Sequence, residues 1–111
     1  MNGTILVVDD EKEIADLIEV YLTNDGYTVR KFYNGTDALK YLETSEPDLA
    51  ILDVMLPDID GFHICRKIRE KHFYPVIMLT AKVESGDKIM GLTIGADDYI
   101  TKPFNPLEVV A

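Results

Sequence analysis

The sequence predicts one α/β domain, a five-stranded parallel sheet with helices on both faces. Three observations lead there. Short apolar runs alternate with segments of helical periodicity five times along the chain. The inner runs are continuously apolar rather than alternating, as in strands buried on both faces. With 111 residues, 47% of them hydrophobic, the chain suits a single core and is a poor candidate for disorder. A repeated strand-helix order feeds a parallel sheet with helices on each side.

Ile5-Leu6-Val7-Val8 is the first run, wholly apolar. Ile14, Leu17, Ile18, Tyr21 and Leu22 then recur at helical spacing, and Asn24-Asp25-Gly26 ends that helix. Tyr27 to Phe32 is a mixed run, as expected of an edge strand. Asn34 is placed to cap a second helix carrying Ala38, Leu39 and Leu42. Leu49 to Leu52 is the third strand. Leu56-Pro57-Asp58-Ile59-Asp60-Gly61 reads as a loop through its Pro and Gly.

Ile64, Cys65 and Ile68 mark one face of a third helix. Val76 to Leu79, after Pro75, is the fourth strand. A fourth helix carries Ile89 and Leu92, with Met90 as a further candidate, and ends near Gly95. Tyr99-Ile100-Thr101 is a short fifth strand, and Asn105-Pro106 opens a last helix as cap and first residue. That helix is short where the sequence reaches Ala111, so the chain reads as a fragment ending within it.

Eleven Lys and Arg against twenty Asp and Glu give a net charge of −9. Such a surface repels DNA and anionic lipid, so binding of either belongs elsewhere. Cys65 is the only cysteine, which excludes an internal disulfide. No charged-then-apolar leader follows Met1, and Asp9, Asp53 and Lys82 interrupt the apolar stretches well short of a membrane span. A soluble, cytoplasmic domain is expected.

In a parallel sheet every carboxyl end faces one way, and ligands bind along that edge. The first strand ends in Asp9-Asp10-Glu11, the third in Asp53, the fourth in Thr80, the fifth in Thr101-Lys102-Pro103. Taken singly, each has an ordinary reading. Acids favour a helix N-terminus, a carboxylate caps a loop, a threonine is structural, a lysine is a solvated surface group. Their joint placement at four strand ends points to a site. Clustered carboxylates stay ionised only beside a cation or a base. Hard oxygens from one or two carboxylates are what Mg²⁺ selects. A metal, a lysine and a hydroxyl around one aspartate also suit phosphoryl transfer, with the carboxylate as nucleophile. Asp53 stands alone on its strand and is the acceptor candidate; Asp9 and Asp10 are free to serve the metal.

Val7-Val8-Asp9-Asp10-Glu11, Asp53 with Leu56-Pro57, Gly61, Leu79-Thr80-Ala81 and Lys102-Pro103-Phe104 together resemble the receiver domains of two-component response regulators. The resemblance covers essentially the whole chain. Gly95 to Phe104 resembles the OmpR/PhoB class, and Glu13 to Leu17 with Gly91 to Gly95 resembles the vancomycin-resistance regulators within it. It implies a flavodoxin-like fold with sheet order 2-1-3-4-5. It implies that a sensor histidine kinase phosphorylates Asp53. Mg²⁺ would be held by Asp10, Asp53 and the backbone carbonyl of Met55, with Asp9 acting through water. Lys102, Thr80 and the backbone of Ala81 would bind the phosphoryl group, and the Lys102–Pro103 bond would be cis. Thr80 and Tyr99 would act as the switch. The helix 4–strand 5–helix 5 face would dimerise, with Lys88, Asp97, Asp98 and Glu108 at family ion-pair positions. The arginines that partner Asp97 and Asp98 in that class would lie beyond Ala111, and DNA would be bound only by a C-terminal domain outside this chain.

Other readings fit less well. A flavodoxin would not carry Asp9, Asp10 and Glu11 where a flavin phosphate sits. A haloacid-dehalogenase-type hydrolase has a second acid two residues after its nucleophile, where this chain has Met55. Neither G-x-x-x-x-G-K-[ST] nor G-x-G-x-x-G is present, so the phosphoryl donor is a partner rather than bound nucleotide. A receiver-like module that takes no phosphate would not need every chemical position filled. His63 and His72 read as surface histidines, and Cys65 as a small core residue. The Lys82 to Asp87 segment, with Ser85-Gly86, reads as a loop that relaxes toward the site on phosphorylation.

Overall fold

The computed structural model describes residues 3–80 and 98–101. In chain order these form β1 (Thr4–Val8), α1 (Lys12–Asn24), β2 (Thr28–Phe32), α2 (Gly35–Thr44), β3 (Leu49–Asp53), α3 (Gly61–Arg69), β4 (Val76–Thr80) and β5 (Asp98–Thr101). The strands make one sheet in the order β2-β1-β3-β4-β5. Every adjacent pair is parallel. The expected fold class and strand order both stand.

Side chains alternate across the sheet with a period of two, and both sets are buried. Leu6, Val8, Ala50, Leu52, Val76 and Met78 face one way, against Ala38 of α2 and Ile64, Cys65 and Ile68 of α3. Ile5, Val7, Ile51 and Leu79 face the other way, against Ala15, Ile18 and Leu22 of α1. Covering both faces explains why β1, β3 and β4 read as continuous apolar runs. Cys65 is fully buried, as expected of a core residue. β2 lies at the sheet edge and is only partly buried, as its mixed composition implies.

One detail of α1 differs from expectation. Its buried stripe is Ala15, Ile18 and Leu22, whereas Leu17 and Tyr21 are 42% and 38% exposed. Positions 15, 18 and 22 fall on one line of a 3.6-residue helix, and positions 17 and 21 lie about 100° to its side.

Side chains start α2 and α3. Asn34 caps α2 by accepting from the Asp37 N–H at 2.8 Å, as the sequence predicts. Asp60 caps α3 by accepting from the His63 N–H at 2.8 Å. Arg66, Lys67 and Arg69 occupy the last turn of α3, where the helix dipole favours positive charge. Gly26, at φ 96°, takes the chain from α1 into β2 in a conformation that favours glycine.

Among the described residues, no helix is long and apolar enough to cross a membrane. The expected fourth and last helices and the Lys82 to Asp87 loop lie outside the described residues.

Candidate functional site: an acidic cluster at the carboxyl edge of the sheet

Parallel pairing brings the strand ends into line. Asp53 is the last residue of β3 and pairs in register with Leu79, and Thr80, the last residue of β4, pairs with Thr101 of β5. Asp9 directly follows β1 and extends its ladder, its N–H donating to the Phe32 carbonyl at 3.1 Å. One carboxylate oxygen from each of Asp9, Asp10 and Asp53 lies within 4.8 Å of the other two.

Burial divides the three acids. Asp9 is fully buried and Asp53 is 3% exposed, whereas Asp10 is exposed. Local bonds orient the buried pair. The Asp9 Oδ1 accepts from the Glu11 N–H at 2.9 Å, which holds the carboxylate against the turn into α1. The Asp53 Oδ1 accepts from the Met55 N–H at 3.2 Å, the same kind of short turn. Val54 continues the β3 ladder by donating to the Leu79 carbonyl at 2.9 Å, and its own carbonyl accepts from the Gly61 N–H at 3.0 Å.

Gly61 permits an unusually close approach. A Cβ on this residue would stand 2.2 Å from the Asp53 carbonyl oxygen, well inside contact distance. The start of α3 therefore rests directly on the backbone that presents the Asp53 carboxylate. The sequence marks Gly61 as a loop residue and as part of the receiver-domain resemblance; its contact with Asp53 exists only in the fold.

Two buried carboxylates and a third beside them make a site of concentrated negative charge. Buried anions are costly unless a cation or donors compensate. An all-oxygen donor set half open to solvent fits a hard divalent cation that keeps part of its water. The residues present thus fit Mg²⁺ on geometry and on donor chemistry.

Of the other sequence-predicted residues, Thr80 lies on β4, the neighbour of β3, and Asp98 and Tyr99 lie on β5, one strand further out. Tyr99 pairs in register with Met78, and Asp98 with Ile77. Met55 follows Asp53 by two residues and is 65% exposed. Ala81, Lys88, Asp97, Lys102, the Lys102–Pro103 bond and Glu108 lie outside the described residues.

One site-adjacent residue escaped the sequence reading. Asp58, in the loop after Asp53, accepts from the N–H of Gly35 at 2.8 Å and of Thr36 at 2.9 Å, at the start of α2. It also takes the Thr36 hydroxyl and the Ile59 N–H. The Thr36 hydroxyl, then the Gly35 amide, hold its carboxyl well below the usual carboxylate range. Neither histidine approaches the cluster through a described contact. His72 instead faces Glu46 at 3.3 Å.

Comparison with known proteins decides the family. The profile of the response regulator receiver domain matches residues 5–111. The chain belongs to the response regulator receiver family. As a receiver domain it is a signalling switch. The receiver domain is 64% identical over 111 residues to regulatory protein VanRc of Enterococcus gallinarum, and 63% identical to regulatory protein VanR of Enterococcus faecium. Each comparison covers all of this chain and 48% of the relative, so the receiver domain spans about half the length of the curated relatives it matches. The crystal structure of DrrB, an OmpR/PhoB homologue from Thermotoga maritima, superimposes with a TM-score of 0.91 at 40% identity, over 99% of this chain and 50% of that one.

Proposed function

We propose that this receiver domain accepts a phosphoryl group on Asp53 from the phosphohistidine of a sensor kinase and passes the signal on through its surface. The observation that carries the reading is the burial of the Asp53 carboxylate at the end of β3, grouped within 4.8 Å with those of Asp9 and Asp10. A carboxylate oxygen of Asp53 attacks phosphorus as the bond from phosphorus to the kinase imidazole breaks. The imidazole leaves with a proton, and the product is an aspartyl phosphate.

Asp10, Asp53 and the Met55 carbonyl would hold Mg²⁺ directly, and Asp9 through water. When bound, Mg²⁺ supplies positive charge to the phosphoryl oxygens and to the crowded carboxylates. Lys102, Thr80 and the Ala81 backbone bind the remaining oxygens. The Met55 N–H bond to Asp53 keeps one carboxylate oxygen occupied and limits how the other is turned.

Phosphorylation adds charge and acceptor oxygens, so the domain shifts toward the shape that satisfies them. Thr80 and Tyr99 carry that shift to the helix 4–strand 5–helix 5 face, where Lys88, Asp97, Asp98 and Glu108 pair across a homodimer. In the longer protein a DNA-binding domain then regulates transcription in the cytoplasm. The VanR and VanRc relatives support a role in vancomycin resistance.

The test is transfer of labelled phosphate from an autophosphorylated sensor histidine kinase. Label must reach the wild-type chain and must not reach Asp53→Asn, whose amide is a poor nucleophile. Equal labelling of both would overturn the assignment of Asp53.

A further inference from the structure

The loop from Val54 to Asp60 carries Met55 and joins the acceptor strand to α3. Its two ends are fixed by bonds already described. The Met55 N–H bonds the Asp53 carboxylate at one end, and the Gly61 N–H bonds the Val54 carbonyl at the other. In the middle, Leu56 and Ile59 lean partly buried on the core, while Met55 is exposed. Asp58 adds a tie of a different kind. Its carboxylate gathers the N–H groups of Gly35, Thr36 and Ile59 and the Thr36 hydroxyl, four donors in all.

Two side chains share the free N–H groups of the first turn of α2. Asn34 already caps α2 from its own sequence position, through the Asp37 N–H. Asp58 reaches the two preceding amides from 23 and 22 residues away. The junction is also closely packed, since a Cβ on Gly35 would stand 2.9 Å from the Ile59 Cβ and 3.0 Å from its carbonyl oxygen. The charge of Asp58 is met by oriented N–H groups at a helix N-terminus, where an anion is favoured.

We infer that Asp58 is a positioning residue for the acceptor site, clasping the Met55 loop to the N-terminus of α2. The inference rests on the reading of Asp53 and Met55 given above. Asp58 touches neither the metal nor the phosphoryl group. It fixes the backbone from which Met55 contributes, as groups outside a ligand set orient the ligands within it. It also links α2 to the site, so a change at either is felt at the other.

The test compares the wild-type chain with Asp58→Ala, Asp58→Asn and Thr36→Ala. Mg²⁺ affinity is measured by calorimetric titration, and amide exchange at Met55 and Ile59 is measured without metal. Asp58→Ala should weaken Mg²⁺ binding about tenfold, the lower end of the cost of losing a ligand-orienting contact. Exchange at Met55 and Ile59 should quicken. Asp58→Asn, which keeps one acceptor, should fall between, and Thr36→Ala should show the smallest change. All variants should still take one phosphoryl group on Asp53 at saturating Mg²⁺. A folded Asp58→Ala protein with wild-type Mg²⁺ affinity and wild-type exchange at Met55 would overturn the inference. Should Asp58→Ala not fold, Asp58→Asn and Thr36→Ala decide by the same criterion. If the wild-type chain binds no Mg²⁺, the Asp53 reading fails instead, and exchange at Met55 alone judges the clasp.

Discussion

The Cβ that Gly61 lacks would stand 2.2 Å from the carbonyl oxygen of Asp53. β3 and α3 are thus in direct backbone contact, with the Gly61 N–H bonded to the Val54 carbonyl between them. The nearest obstructing atoms are main chain, the carbonyl oxygen and carbon of Asp53, with the Met78 methyl next at 3.0 Å. A side chain here must push α3 outward or displace the residue that presents the carboxylate.

Gly61→Ala should therefore affect both stability and chemistry. Overpacking a fixed site costs about 1–3 kcal/mol, and the denaturation midpoint in urea should fall accordingly. Phosphorylation of Asp53 by a small donor should slow as well, because the strain falls on its own backbone. Normal stability and normal phosphorylation together would show that α3 moves aside freely.

Asp58 should leave a signature in acid. Its hydrogen bonds depress its carboxyl in the folded chain, with the Thr36 hydroxyl first and the Gly35 amide next. An unfolded aspartate titrates near about 3.9. The contribution of Asp58 to stability is therefore full above that pH and is lost as pH falls toward the lower folded value. The stability gap between wild type and Asp58→Asn should be largest at neutral pH and shrink below about pH 4. A gap independent of pH between 7 and 3 would contradict the charged clasp.

Thr80 ends β4 next to the acceptor strand, in register with Thr101. Thr80→Ala should still accept phosphate, since the nucleophile is untouched. It should lose the hydroxyl proposed to bind the phosphoryl group in the switched shape. A hydrogen bond to a charged group is worth about 1.5–3 kcal/mol, so phosphate-driven dimerisation should weaken by about tenfold or more. Sedimentation of the phosphorylated variant measures it, and wild-type dimerisation would remove Thr80 from the switch.

The fold was legible because burial on both faces leaves an unmistakable pattern. Continuous apolar runs at Ile5, Leu49 and Val76 became β1, β3 and β4, and the mixed run before Phe32 became the edge strand. Strand ends were less legible. β1 and β5 each start one residue before their expected runs, at Thr4 and Asp98, because ladder bonds rather than hydrophobicity decide where a strand begins, whereas β3 and β4 stop at Asp53 and Thr80 as expected. On α1, a list of apolar residues overstated the buried face, since Leu17 and Tyr21 flank the stripe instead of lying on it.

The acidic cluster was legible for the same reason as the sheet. Once the strands are parallel, Asp9, Asp10 and Asp53 can only meet at the carboxyl edge, and they do. Asp58 was not legible as part of the site, and Gly61 was legible only through the receiver-domain resemblance. Asp58 bonds amides 22 and 23 residues away, and Gly61 is needed for a distance to Asp53 that only the folded chain sets. Apart from that resemblance, both look like ordinary turn residues in sequence.

The central claim is that Asp53 is a metal-assisted phosphoryl acceptor. Intact mass after incubation with acetyl phosphate, with and without Mg²⁺ and beside Asp53→Asn, tests it most directly. A gain of one phosphoryl group is expected only with both Mg²⁺ and Asp53 present. No gain under any condition, or an equal gain in Asp53→Asn, would contradict it.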